Sequence, residues 1–431
     1  MPAPQVEQEV RRHLRYNITV NLLDGAAFGF GMGFSSFSTF IPIFLSRMTS
    51  SAILFGLVPS IHNTGWMLPQ LLTAGWVARM RKYKGSVLFM TVHERLPFLG
   101  LALLAWFLPG VSRQFALVLT FLLLAWQGLG AGFTANAWTS LIAKIIPADL
   151  RGTFFGAQAS AANTLISVGS VLAGVLLTRV SDRFNFTLLF LLTFACLIAS
   201  WVFLAMTREP EDREKTIPEK QLPFWKGTRT ILRRDGNFRW FLVARIFSQV
   251  ALAGFAFYII YCIRRFDMSD LTAGILTATL TIGQIVANPL MGWAGDRWGH
   301  RRVMILGACS AALSCLLACT APSLAWFYPA MILAALGNVS VWTIGIAMMV
   351  GFGREEERPV YVGLSNTLVA PAAILAPVLG GWLADTAGYR ATFLAAAAGG
   401  LVTAAILFFL VRDQPIEPPQ RLPEASEPAS I

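Results

Sequence analysis

Charged residues make up only 13% of the 431 positions, where a soluble chain carries about a quarter. That is too few to solvate a soluble surface of this size. Histidine is scarce as well: His13, His62, His93 and His300 are scattered over different stretches. A membrane-embedded enzyme would need nucleophile, acid–base or metal groups clustered near an interface, and this scatter argues against one. The five cysteines, Cys196, Cys262, Cys309, Cys315 and Cys319, form no CxxC pair and all fall in apolar stretches. They read as packing residues, and no metal site is expected. A GxxxxGK[ST] phosphate loop is missing too, so ATP is not the expected energy source and no cofactor is implied.

What the chain has in quantity is apolar sequence, 55% of all residues. Runs of roughly 20 residues, enough to cross a bilayer, recur from Asn17 to Leu410. We read twelve spans: 17–46, 52–79, 86–108, 114–145, 152–179, 186–206, 237–265, 270–295, 302–320, 324–350, 360–385 and 390–411. The opening MPAPQVEQEVRRHLRYNITVNLL contains no short apolar segment ending in a small-residue cleavage site, and Pro2 excludes N-myristoylation. The first span is therefore expected to stay in the mature protein.

Lysine and arginine near membrane spans are retained on the cytoplasmic side. With the N-terminus inside, the segments on that side hold 25 of the 34 basic residues and the opposite loops 7. Both termini are thus expected to be cytoplasmic, in a bacterial-type inner (plasma) membrane. The net charge of +11 then lines one membrane face, where anionic headgroups favour it. With no compact basic domain in the chain, nucleic acid is not an expected partner.

The longest polar segment, Thr207 to Asn237, divides the chain after six spans. The expected organisation is a tail at 1–16, a bundle at 17–206, a linker at 207–236, a second bundle at 237–412 and a disordered Pro- and Glu-rich tail at 413–431. Within the linker, Phe224, Trp225, Ile231 and Leu232 alternate with Lys226, Arg229, Arg233 and Arg234, a pattern suited to an amphipathic surface helix. The two halves also resemble each other. GWVARMRKYK, Gly75 to Lys84, returns as GWAGDRWGHR, Gly292 to Arg301, 217 positions later. Arg151, Gly156 and Gly174 are matched by Arg358, Gly363 and Gly381 at a constant offset of 207. Duplication of a six-span unit accounts for both.

GWAGDRWGHRR, Gly292 to Arg302, resembles the loop signature of the major facilitator superfamily, Gly-x-x-x-Asp-Arg-x-Gly-x-Arg-Arg. The match takes in Gly292, Asp296, Arg297, Gly299, Arg301 and Arg302. The resemblance implies an all-α integral membrane fold of twelve transmembrane helices in two pseudo-symmetric six-helix bundles. It also implies a secondary transporter whose bundles rock about a central cavity. In that scheme Asp296 braces the gate by accepting bonds from the start of span eleven or a nearby arginine, while Gly292 and Gly299 allow close approach and a tight turn. The first-half copy departs from the pattern, with Arg79 at the acidic position and Lys82 at the second glycine. APVLGG, Ala376 to Gly381, is similar to the glycine–proline element of antiporters, although it lies in span eleven rather than span five. Gly174, Gly380 and Gly381 are the expected helix-packing glycines.

Charges also occur inside the spans. In VHERLPFLG, Glu94 lies roughly 10–12 Å from the start of its helix, and Asp24 and Arg245 enter from the same side to a similar depth. Each unpaired charge at mid-bilayer costs roughly 2.5–3.5 kcal/mol, so these groups should face one another or water. Glu94 and Arg95 point about 100° apart on a helix and are expected to serve different partners. Three readings stay open. One is an ion-pair cluster of two acids with two arginines; another is a titrating Asp24 or Glu94 that carries a proton; the third is direct contact with a charged substrate.

Polar stripes at helical spacing run along Thr277, Thr281, Gln284 and Asn288, along His62, Trp66, Gln70 and Thr73, and through Asn17, Asn21, Asp24, Phe28 and Ser35. They fit either a wet path or interhelical hydrogen bonding. His62 could titrate near neutral pH, and His93 reads as an interfacial packing residue. Phe28, Trp66, Trp126 and Trp138 would suit an amphipathic ligand. The expected protein is a monomeric, proton-coupled secondary transporter of a small-molecule substrate in a lipid bilayer; its direction stays open, efflux of an amphipathic compound or metabolite being one reading. An uptake carrier on the same fold and a transport-inactive sensor are the alternatives.

The charge asymmetry generates a test. Thr216→Cys and Ala425→Cys should each react with an impermeant maleimide only from the cytoplasm. Labelling of either from outside would refute the orientation.

Overall fold

A computed structural model describes residues 4–77, 79–210, 231–352 and 358–412. The expected disordered tail at 413–431 and the greater part of the expected surface helix, up to residue 230, lie outside the described residues. Among those described, every regular element is a helix. In hydrocarbon there is no water to satisfy peptide groups, so each span closes its hydrogen bonds within itself.

Span one runs Pro4–Phe34 and, after a bend, Phe40–Ser46; span two is Ala52–Val77, span three Lys84–Phe107, span four Arg113–Ile145, span five Ala148–Arg179 and span six Asn185–Met206. Span seven comprises Gly236–Ala253 and Tyr258–Phe266, span eight is Asp270–Trp298 and span nine His300–Thr320. Span ten comprises Phe327–Val339 and Gly345–Val350, span eleven is Arg358–Ala387 and span twelve Tyr389–Phe409. Ten helical segments, those of spans three to twelve, are long and apolar enough to cross a membrane. The helices expected as spans one and two are long and pack among these ten without being among them.

Three features differ from the sequence expectation. The tail at 1–16 is, from Pro4 onward, the first turns of span one; no glycine or proline interrupts QVEQEVRRHLR, so nothing stops the helix. Span one bends at Ser35–Thr39, where Thr39 N and Ile41 N both donate to the Ser36 carbonyl. Spans seven and ten are not continuous α-helices, since a 3-10 turn at Gly254–Phe257 and a π segment at Ser340–Ile344 interrupt them.

Helix neighbours repeat with a period of six spans. Span one packs on five and six, three on four and six, and two on four. In the second half, seven packs on eleven and twelve, nine on ten and twelve, and eight on ten. The two principal contacts between halves, five with eight and two with eleven, are images of each other. A matched pair of ties closes each bundle. Asn17 and the backbone of Arg208 exchange two hydrogen bonds of 3.0 and 2.9 Å, and Asn237 and the backbone of Arg412 exchange two of 3.1 and 2.7 Å.

Among the described residues the principal contacts between the halves run from the face away from the termini. There Gly174 lies against the backbone of Asp270 and Leu271, and its repeat partner Gly381 lies against Ala52 and Ile53. Gly274 abuts Ser170 and Gly56 abuts Pro377, again matched positions. A side chain at any of these four would collide with the backbone opposite. Gly380 packs against the ring of Phe257. Asp385, near the end of span eleven, accepts from the amides of Ala52 (2.7 Å) and Ile53 (3.1 Å) and from the Ser51 hydroxyl (2.8 Å). It caps the start of span two from the other half, where an anion is favoured. On the terminal face, by contrast, Gly75, Gly156, Gly292 and Gly363 have open space around them. Among the described residues the halves are packed together on one face and leave open space on the other.

Gly174→Val combined with Gly381→Val should block this closure while leaving helical content unchanged. A cysteine placed at the fully buried Ser170 should then react with an impermeant maleimide from the face away from the termini, as the parent does not. Continued protection of that cysteine would refute the closing role of the two glycines.

Candidate substrate and proton site

Three buried charged residues of the first half, Asp24, Glu94 and Arg95, meet at a cavity of about 610 Å³ also lined by His62, Gln127 and Gln158, with Phe28, Trp66, Trp138 and Phe155 among its walls. Small residues bring the helices this close. Gly130 of span four lies on the backbone of His93 and Glu94, and Gly25 of span one leaves room for Gln158, whose amide donates to the Asn21 carbonyl at 3.0 Å.

Arg95, only 3% exposed, organises the polar floor. Its Nε donates to the Leu197 carbonyl (2.9 Å), Nη1 to the Thr91 carbonyl (2.9 Å) and Nη2 to Ser200 Oγ (3.1 Å). The Ser200 hydroxyl in turn donates to Asp24 Oδ1 at 2.6 Å. Nη1 also stands 3.8 Å from Glu94 Oε2. The expectation that neighbours Glu94 and Arg95 would serve separate partners is corrected in part: the guanidinium stands beside Glu94 and is linked to Asp24 only through the Ser200 hydroxyl. With both acids ionised the group of two carboxylates and one guanidinium carries one surplus negative charge.

Arg245 does not join them. It is buried in the second half, where Nη1 donates to Ser365 Oγ (3.0 Å) and Met349 Sδ (3.0 Å), while Nε has no partner among the described residues. The four-charge cluster does not form because span seven packs on eleven and twelve, whereas span one packs on five and six. His62 Nδ1 meets Gln127 Oε1 at 3.2 Å, and its ring lies 4.1 Å from that of Phe37. His93 faces outward, taking the Trp126 indole N–H at 3.3 Å and packing on Phe89.

The stripes divide in two. His62 and Trp66 line the cavity, but Gln70 turns back to the Trp66 carbonyl, and Asn136 of span four binds the Gln70 carbonyl and the Thr73 hydroxyl. On span eight, Thr277 bonds Thr39, Thr281 bonds Ser167, and Asn288 accepts from Thr343. Thr281 and Asn288 thus join helices, Gln70 bonds back within its own, and none of the three is in the lining of this cavity or of a second one that Gln284 lines.

The signature loop is corrected in one respect. Gly299 adopts φ +92°, as a tight turn requires, but Asp296 is 80% exposed and sits 3.7 Å from His300 of its own turn. Arg297 lies over Trp293, Arg301 binds the carbonyls of Leu407 and Phe408, and Arg302 is exposed. Among the described residues His300 is the partner Asp296 has; the loop before span eleven and the side chains at its start, the expected bracing partners, lie outside them. In the first half, where Arg79 and Lys82 break the pattern, Glu209 supplies the acid. It accepts from the amides of Tyr83 (2.9 Å) and Lys84 (2.9 Å) and pairs with Lys144 at 3.1 Å.

Sequence reasoning missed Ser200, Gln127, Gln158 and Glu209. Only Glu209 left a trace, in the likeness of Arg-Glu-Pro after span six to Arg-Asp-Gln-Pro after span twelve. Among the described residues no group of three or more His, Cys, Asp or Glu could hold a metal ion.

Removing a buried charge's partner costs about 3–5 kcal/mol, because the charge left behind is uncompensated. Arg95→Met should therefore lower the thermal unfolding temperature sharply, and Arg95→Met with Glu94→Gln should recover much of it. Arg245→Met strands no acid and should cost far less. Equal losses in the two single variants would show that Arg95 has no special pairing role.

The family model for the Major Facilitator Superfamily matches residues 90–263 and 246–431. The vesicular acetylcholine transporter of Mus musculus is 31% identical over 147 residues, 34% of this chain and 28% of the relative. The gentisate transporter of Corynebacterium glutamicum is 27% identical over 176 residues, 41% of this chain and 40% of the relative. Multidrug resistance protein 2 of Bacillus subtilis is 27% identical over 146 residues, 34% of this chain and 36% of the relative. The matched segments thus span well under half of these relatives' length. Among solved structures, the nucleoside transporter NupG superposes with a TM-score of 0.74 at 12% identity, covering 92% of this chain and 100% of that one. The D-xylose-proton symporter gives a TM-score of 0.65 at 16% identity, covering 92% and 98%. With the fold, the signature loop and a family match over most of its length, this chain belongs to the major facilitator superfamily of membrane transporters.

Proposed function

We propose that the protein is a proton-coupled secondary transporter that moves a small amphipathic solute by alternating access, with Asp24 and Glu94 sharing one mobile proton beside Arg95. The observation that carries this reading is the unequal cluster of two acids and one arginine at the floor of the open cavity. A surplus charge is tolerated while water fills the cavity. Once the halves rock and water leaves, that charge must be neutralised or it costs several kcal/mol. A proton taken up by either acid removes the cost, so protonation is tied to passage through the closed state. The protein binds the proton on one side and gives it up to water on the other.

The basic residues favour a cytoplasmic terminal face, a plasma membrane and a monomer that loads solute from the cytoplasm and exports it against protons. Closure of the terminal face would bring span eleven to Asp296, forming the brace that is open here. The gentisate transporter and the multidrug resistance protein support small organic solutes as cargo.

A thermal-shift screen on the purified protein identifies a ligand, since binding to the native state raises its unfolding temperature by mass action. In proteoliposomes an imposed pH gradient should then accumulate that ligand. Asp24→Asn or Glu94→Gln should abolish the accumulation yet leave solute-for-solute exchange, because a neutral amide mimics the protonated acid but cannot cycle. Full accumulation in both variants would sink the coupling reading.

A further inference from the structure

A second cavity, of about 320 Å³, lies between the halves at the level of Gln249, Gln284 and Asn338. Its lining differs in kind from that of the first, for it contains no charged residue. Carboxamides take their place, and their bonding capacity is largely unused. Gln249 is 5% exposed yet makes only one long bond, 3.4 Å to Ser248. Asn338 donates to the Ala334 carbonyl one turn back. The side chains of Gln284 and Asn63 form no hydrogen bond among the described residues. A carboxamide offers two donors and two acceptor sites; Gln249 is buried, and Asn63, Gln284 and Asn338 are half-buried along the wall of the cavity. These groups are therefore set to bond something that enters the cavity.

Both helix irregularities of the second half border this space. Phe255 and Ala256 come from the 3-10 turn of span seven, and Trp342 comes from the π segment of span ten. Such segments are frequent at functional sites, where they re-aim side chains. Arg245 lies one turn from Gln249 but is directed at Ser365 and Met349, so it offers no countercharge.

We propose that this second cavity is the recognition subsite for an uncharged, hydrogen-bonding end of the transported solute: a hydroxyl, carbonyl or amide on a ring that lies against Trp342. The inference rests on the alternating-access reading and adds the chemistry of the cargo. A charged group entering here would lose water and find no opposite charge, a cost of several kcal/mol. An uncharged polar group exchanges its water for carboxamide bonds. Charge compensation stays with the acid pair of the first half.

The test uses the full-length chain with Cys196, Cys262, Cys309, Cys315 and Cys319 replaced, and a single new cysteine by Asn338→Cys or, separately, Gln284→Cys. Two positions guard against one variant failing to fold. Each is reacted with three methanethiosulfonates of similar size: hydroxyethyl (neutral), trimethylammonioethyl (cationic) and sulfonatoethyl (anionic). Rates are normalised to those with free 2-mercaptoethanol. The neutral reagent should react about tenfold faster or more than either charged one. Ala135→Cys, in the first cavity, should prefer the cation over the anion. A charged reagent that matches the neutral one at both second-cavity positions would overturn the proposal. Failure of every reagent at Ala135→Cys would instead strike the open-cavity reading itself. Retained neutral preference without pH-driven accumulation would strike only the proton coupling.

Discussion

A guanidinium in a membrane protein must be surrounded by oxygen atoms, and Arg95 meets that demand by drawing on three helices. It takes carbonyls from its own span and from span six, a hydroxyl from span six and, through that hydroxyl, the carboxylate of span one. The rest of the first bundle is built to let it do so. Gly130 and Gly25 bring neighbouring helices close, and Gln158 fills the opening beside Asn21. The same contacts set the chemistry of the cavity. A guanidinium already committed to two carbonyls and a hydroxyl cannot fully neutralise two acids, so a place for one further positive charge is left at the edge of the open space.

The second constraint is steric. The halves touch through paired glycines at matched positions of the repeat, Gly174 with Gly381 and Gly56 with Gly274, and at each the opposing backbone occupies the place of a side chain. Backbone-to-backbone contact at these glycines lets spans five and eight, and two and eleven, lie close along their length, and a shared hydrophobic core continues across both halves. The Asp385 cap on span two adds a polar latch to the same face. On the other face the signature loop leaves Asp296 largely exposed beside His300 of its own turn.

The bundles share a topology but differ in chemistry. The first carries the acids, the paired arginine and the aromatic walls. The second has an uncharged, carboxamide-rich pocket bordered by irregular helix, and its one deeply buried arginine is turned away from that pocket. Duplication supplied two similar frameworks. Divergence then placed charge in one and uncharged hydrogen-bonding groups in the other.

Much of this architecture was legible in the chain because hydrocarbon imposes so few choices. Span length, helical backbone, the six-span repeat and the 207-residue match of Gly174 to Gly381 follow from apolar run length and spacing, which a bilayer reads directly. That the buried charges of the first half must find partners was equally evident, since an isolated charge in lipid is costly. Which partners they find was not. Asp24 and Arg245 enter at similar depth, yet helix neighbours decide that they never meet, and Ser200, Gln127 and Gln158 look like any other polar residue on an apolar helix until the bundle closes around them. The stripe on span eight shows the same limit: spacing put Thr281, Gln284 and Asn288 on one face, but only packing against spans five and ten decided which of them bonds a neighbour and which faces open space. Sequence determined the number, length and kinship of the helices because those depend on local apolarity and periodicity. The pairing of charges, the split into two cavities and the closed face were decided by tertiary structure, because each depends on side chains more than a hundred residues apart arriving within a hydrogen bond of one another.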